Sequence, residues 1–204
     1  MIAIEEIRPG LWHWRAMHPK IKIEVSSYYV SDSGTLIDPM LPAEGVEWFR
    51  ERGEPRRVVL TNRHHRRQSD DFKEAFGCPV LCHEAGLHEF EGGPDVEGFA
   101  FGDELGPGMT ALEVDAICPE ETALHIVAGE GILAFADGLI RAGEGALGFV
   151  PDALMGDEPE EVKRGLRESF RALLEHDFDT LLFAHGLPLV GGGRRALEAF
   201  LDDA

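Results

Sequence analysis

Three apolar runs in this sequence end in side chains that can do chemistry. "VVLTNRHHRR" places His64 and His65 just past Leu60, "ILAFADG" places Asp137 past Ala136, and "LLFAHG" places His185 past Ala184. A polar group that follows a buried strand sits at the edge of its sheet, where a cleft can form. One histidine in such a place is ordinarily a satisfied structural residue. Imidazoles and a carboxylate at three such ends together are the donor set of a borderline metal such as zinc or iron.

The elements that must position these groups follow from periodicity and turn residues. Strands are expected near Leu11–Arg15, Ser27–Val30 and Thr35–Ile37, the last two joined by a hairpin at "SDSG". A helix is expected from Ala43 to Arg52, with Pro42 near its start and Gly53 at its end. The strand "RRVVL" leads into the histidine stretch, and Ser69 reads as the cap of a short helix, "DDFKEAF". "CPVLC" is then a strand, and "EGGPDVEGFAFGDELGPG" a turn-rich surface segment. In the second half "TALEV", "TALHIVA", "ILAFA" and "DTLLFA" read as strands, with helices over Pro159–Glu175 and Arg194–Leu201. Strand groups followed by helices, twice over, predict an α+β fold: an αββα sandwich of two packed mixed β-sheets with helices on the outer faces. Residues 1–204 read as one domain, without repeats or linkers.

Composition narrows the partners. Thirty-eight acidic residues against nineteen basic ones leave a formal charge of −19, which repels a phosphate backbone, so nucleic acid is excluded. "MIAIEEIRPG" has no basic, apolar leader pattern, and no apolar run approaches a membrane span, so the chain reads as cytoplasmic and without a membrane partner. Cys78, Cys82 and Cys118 are odd in number and lack C-x-x-C spacing, which argues for packed thiols over disulfides. A small-molecule substrate or an anionic ligand remains, and the composition leaves room for a homo-oligomer.

In order along the chain, "YYVSDSGTLIDPM", "VVLTNRHHRR", "ICPEETALHI", "ILAFADGL" and "LLFAHGLP" resemble the metallo-β-lactamase superfamily. The first is similar to its early hairpin ending in Leu-Ile-Asp, with Asp38 in place, and the second to its T-H-x-H-x-D-H motif. The others are similar to its third-histidine loop, its bridging-aspartate strand and its terminal His-Gly. The resemblance implies a hydrolase acting on a small ester, thioester or amide. Residue by residue, Thr61, His64, Asp137 and His185 match, whereas the first motif His becomes Asn62, the Asp becomes Arg66, the next His becomes Arg67 and the third His becomes Ile117. Four of the seven ligand positions are lost. What the resemblance leaves is at most one zinc or iron ion, on His64, Asp137 and His185, with Asp137 orienting a metal-bound water, or no ion at all.

Arg66 and Arg67 oppose a second metal, because a guanidinium stays charged and cannot act as a ligand. At roughly 4 Å and an effective dielectric of about 20 a dication and one guanidinium repel by about 8 kcal/mol. Two expectations follow. One is a hydrolase-like protein with a reduced metal site. The other is a pseudoenzyme that binds a small anion through Arg66, Arg67, His65 and Asn62, with one arginine pairing with Asp137 where metal once balanced it. His65 can join the metal ligands only if the chain bends there, since neighbours on an extended strand point to opposite sides. Elsewhere, His13 and His18 read as edge-strand residues in a segment that could instead line a cleft, His83 and His88 as surface positions, His125 as a core hydrogen-bonding group, Cys118 as a packed thiol and Glu120 as a solvated loop charge, with Cys118 or Glu120 the alternatives for the ligand lost at Ile117.

Overall fold

The alternating and apolar runs form two mixed sheets in the computed structural model, which describes residues 3–203. The leader reading of the first ten residues therefore rests partly on Met1 and Ile2, outside the described residues. The chain divides into two compact units, one running to residue 100 and including 105–107, the other comprising 101–104 and 108 onward.

The first unit holds β1 (Glu5–Arg8), β2 (Leu11–Met17), β3 (Glu24–Val30), β4 (Thr35–Ile37), α1 (Glu47–Arg52), β5 (Arg57–Val59), α2 (Ser69–Phe76), β6 (Val80–His83) and β7 (Glu97–Phe99). Their order in the sheet is their order in sequence. β1 to β4 pair antiparallel through short turns, and β4 to β7 pair parallel. Parallel neighbours need crossovers, which α1, α2 and a 3₁₀ segment at Glu84–Phe90 supply. Trp14, Tyr29, Trp48, Phe49 and Phe72 fill the core of this unit, with Phe49 making edge-on contacts to Trp14, Tyr29 and Phe72.

Two helix boundaries differ from expectation. α1 begins at Glu47 instead of Ala43, because Gly45 takes a left-handed φ of 68° and its N–H closes a turn onto the Pro42 carbonyl. Ser69 lies inside the first turn of α2 and does not cap it. Gln68 precedes the helix, and the Ser69 hydroxyl donates to the Arg66 carbonyl.

β8 (Glu104–Gly106) is a short strand where the sequence passes from one unit to the other. The second unit holds β9 (Met109–Glu113), β10 (Thr122–Ile126), β11 (Ile132–Phe135), β12 (Ile140–Arg141), β13 (Leu147–Gly148), α3 (Pro159–Leu173), β14 (Thr180–Phe183), β15 (Leu189–Val190) and α4 (Gly193–Asp203). Its main strands run in the order β15-β14-β11-β10-β9. β11 and β14 are central, parallel and buried at every position, as continuous apolar runs should be. α3 is the crossover between them. Pro159 sits in its first turn with Glu160 and Glu161, and Leu166, Phe170 and Leu173 recur on one buried face. Among the described residues no helix is long and apolar enough to cross a membrane.

Candidate functional site

Each unit carries its chemistry at the carboxyl ends of neighbouring parallel strands, the usual place for a ligand crevice in such sheets. In the first unit β4 ends at Ile37, opposite Val59 of β5, so Asp38 and the segment from Thr61 emerge side by side. The Asp38 N–H donates to the Val59 carbonyl at 3.1 Å, and the Thr61 N–H returns a bond to Asp38 Oδ1 at 2.9 Å. The Thr61 hydroxyl donates to Asp38 Oδ2 at 2.5 Å. His65 Nδ1 lies 3.0 Å from the same oxygen and 3.1 Å from Thr61 Oγ1.

These partners fix the imidazole. A carboxylate oxygen can only accept, so Nδ1 carries the proton, and in the neutral ring Nε2 carries the lone pair. A histidine held in this way by a carboxylate has the tautomer a metal ligand needs. Asp38 is fully buried. Burial alone would raise its pKa, but His65 first, then Arg67 and Thr61, hold its carboxyl below the ordinary value.

The bend that lets His65 turn inward is a 3₁₀ turn over Arg63–Arg66, started by Asn62, whose side-chain oxygen accepts from the His64 N–H at 2.9 Å. The strand alternation that would set His64 and His65 on opposite sides therefore ends at Asn62. The structure assigns the inward, tautomer-fixed position to His65, while His64 is exposed and lines a cleft outside. Asn62 is buried, and its side-chain oxygen caps the turn.

The arginines also differ from expectation. Arg66 pairs with Asp70 one turn on, which takes up its Nε and Nη2 and leaves it out of the charge replacement expected at Asp137. Arg67 has a left-handed backbone, φ 45°, and its Nη1 donates to the carbonyls of Ser26 at 2.5 Å and Asp38 at 2.6 Å. It clamps the ends of β3 and β4. Asp38 itself has φ 47°, so this corner holds two non-glycine residues in a sparsely populated conformation.

Beside this corner lies an open cleft of about 430 Å³. Lys20, Arg63, Arg66 and Arg67 line it with the imidazoles of His18 and His64, and Glu89 is the carboxylate on its wall. Gln68 adds a side-chain amide, and the remaining wall is apolar, with Pro19, Ile21, Met40, Phe90 and Pro94.

In the second unit the pairing of Phe135 with Phe183 puts Asp137 and His185 two residues beyond matched positions of β11 and β14. Equal offsets past parallel strands bring side chains together, and His185 Nε2 lies 3.0 Å from Asp137 Oδ1. The two side chains are 20% and 25% exposed, open enough to meet solvent. The loop under Asp137 is held by Glu121, whose Oε1 accepts from the N–H groups of Asp137 and Gly138 at 2.8 and 2.7 Å. Gly186, after His185, has φ +115°, and a Cβ there would lie 1.8 Å from the Arg141 carbonyl oxygen, so the His-Gly pair is sterically required.

Glu121 was not singled out in the sequence. Glu120, expected as a solvated charge, is buried with it, because the turn after Cys118 folds back and the Glu121 N–H donates to the Cys118 carbonyl. His13 is not on an edge: β1 pairs outside β2, and the ring is buried, bonded to Ser26 Oγ at 3.0 Å and stacked on Tyr28. His83 is buried at the end of β6, where its Nδ1 accepts from the Ala85 N–H. His125, expected in the core, is half-buried and bonds the Asp177 carbonyl beside the His176 ring.

The donors present have the chemistry of a zinc or iron site. Asp137 and His185 supply a carboxylate and an imidazole in the second unit, one fewer than the three protein ligands of a catalytic zinc centre. In the first unit His65 is the imidazole with a ligand's tautomer. When bound, such an ion would supply Lewis acidity and an acidified water.

The chain has the metallo-β-lactamase fold, an α+β architecture. A metallo-β-lactamase family protein from Thermus thermophilus matches it with a TM-score of 0.69 at 17% identity, over 97% of this chain and 80% of that one. A metallo-β-lactamase of Cronobacter sakazakii described by its HARLDQ motif matches with a TM-score of 0.62 at 17% identity, over 90% and 78% of the two chains. A third structure, solved in a di-iron-bound form, matches with a TM-score of 0.62 at 20% identity, over 95% and 97%. No family model and no curated protein sequence matches the chain.

Proposed function

We propose that this hydrolase-like scaffold binds a small anionic molecule in the cleft of its first unit, with Arg63, Arg66, Arg67 and Lys20 as the charged groups. One observation carries the reading: a chain of formal charge −19 gathers four cations and two imidazoles around a single opening with one carboxylate on its wall. At physiological ionic strength charges farther than about 8 Å are screened, so the cleft's own cations set the potential a ligand meets. The Arg66–Asp70 pair fixes one guanidinium at the rim, and Arg67 is fixed by backbone carbonyls, so both are ordered before a ligand arrives.

Calorimetry with phosphate and small carboxylates tests this. Binding that weakens about tenfold or more in Arg63→Ala, the loss of a charge-assisted hydrogen bond, supports it. Absence of binding to every anion tried, in folded protein, ends it. Arg67→Ala is a poor probe, since it also removes the clamp on β3 and β4.

A second reading keeps hydrolysis, and the Asp137–His185 pair favours it. A partly exposed carboxylate within hydrogen-bond reach of an imidazole is a general-base arrangement for activating water toward a small ester, thioester or amide. Metal analysis of untagged protein and an ester-hydrolysis assay with Asp137→Asn decide it. Zinc or iron near one per chain and activity lost in the variant support it, and a metal-free, inactive, folded chain removes it.

A further inference from the structure

We infer that the ligand of the basic cleft is an organic phosphate with an apolar body, and that the turn between β2 and β3 holds that body. The inference rests on the anion-binding reading and adds the chemical class.

Three observations carry it. Volume is the first. Five heavy atoms fill at most about 150 Å³ at the ~30 Å³ share of a water, while the cleft measures about 430 Å³, the size that houses organic ligands. Inorganic phosphate would leave most of it to solvent.

The second is the division of the lining. The charged wall carries three guanidiniums and an ammonium; with Glu89 on the wall and Asp70 paired to Arg66 set against them, an excess of two positive charges remains, which matches the double charge of a phosphate monoester better than the single charge of a carboxylate. His18 adds to this wall. Its Nδ1 accepts from the N–H groups of Lys20 and Ile21 at 3.3 and 3.4 Å, so its ring proton lies on Nε2.

The third is the turn itself. Ile21 is 54% exposed although it lines the cleft, and Met17 and Ile23 on either side are 53% and 48% exposed. Of these, Ile21 presents its apolar side chain to the charged cleft, where the apolar body of a ligand can cover it. The turn is ordered, with His18 N–H bonded to the Ile23 carbonyl at 2.8 Å and Lys22 N–H to the His18 carbonyl at 3.0 Å. Met40 and Phe90 line the same cleft, are buried, and give the body a fixed apolar surface.

The test compares probes by calorimetry: inorganic phosphate, phenyl phosphate and hexyl phosphate, with phosphatidic acid vesicles against phosphatidylcholine vesicles by sedimentation. Phenyl or hexyl phosphate should bind at least tenfold tighter than inorganic phosphate. Ile21→Ser, which removes the apolar side chain without adding charge, should abolish that advantage and leave inorganic phosphate binding within about twofold. Tight binding of the soluble esters identifies a free molecule as the source of the phosphate, and binding to phosphatidic acid vesicles alone identifies a lipid headgroup. Both support the inference. Equal binding of all soluble phosphates, with no preference for phosphatidic acid, overturns it and leaves the anion reading intact. No binding of any phosphate overturns both. If Ile21→Ser proves unstable, Ile21→Thr serves the same comparison.

Discussion

The two units solve one problem in two ways. Each ends a pair of parallel strands in a carboxylate beside an imidazole, Asp38 with His65 in one and Asp137 with His185 in the other, both at 3.0 Å. In the first, both partners are buried, and the carboxylate also takes two bonds from Thr61. In the second, both side chains meet solvent. The same two residue types thus hold a buried corner together in one place and stay partly open to solvent in the other. Burial, not identity, separates the roles.

The largest effect expected from this contrast is Asp38→Ala. It strands the buried Thr61 and His65 donors and removes the charge near Arg67, and breaking such a buried pair costs about 3–5 kcal/mol. Asp137→Ala, at the solvated pair, should change stability by no more than about 1 kcal/mol. Chemical denaturation of both variants checks the difference, and equal losses would erase the distinction between the units.

Acid comes next. Burial lowers the His13 pKa from 6.5 to about 4, against the pull of Glu5, so the ring stays neutral in the folded chain. Unfolded chain binds the extra proton first. Stability is therefore full above pH 6.5 and falls as pH drops toward 4, by up to about 3 kcal/mol. Asp38, with its pKa held low, adds its own loss as pH falls through that lowered value. Denaturation midpoints across pH should show the first slope flattened in His13→Gln, which keeps a partner for Ser26.

A smaller effect sharpens the second unit. Glu121→Ala leaves the Asp137 and Gly138 N–H groups without their acceptor. A loss of about 1–3 kcal/mol is expected, along with a shifted Asp137 signal in carboxylate-detected NMR. An unmoved signal would mean that the loop does not depend on Glu121.

Much of this was legible beforehand, for identifiable reasons. Continuous apolar runs announced β11 and β14, and equal offsets beyond them placed Asp137 and His185 together. Asp38 and Thr61 followed from resemblance to the superfamily. The choice between His64 and His65 was half legible: the motif match selected His64 and admitted His65 only if the chain bends, and the 3₁₀ turn capped by Asn62 supplies that bend. His13 was misplaced because an edge is a property of the whole sheet. Nothing in "ICPEETALHI" says that a turn will fold Glu120 and Glu121 inward. The basic cleft was half legible: Arg66 and Arg67 stood out, whereas Lys20 and His18 arrive from a turn more than forty residues earlier.

Arg67 joins two accounts that are usually separate. One guanidinium both lines the cleft and holds the ends of β3 and β4 by their carbonyls. An anion that binds there acts on the same group that keeps the corner shut, so ligand occupancy and resistance to unfolding are thermodynamically linked. For the proposed anion, the melting temperature then rises with its occupancy of the cleft.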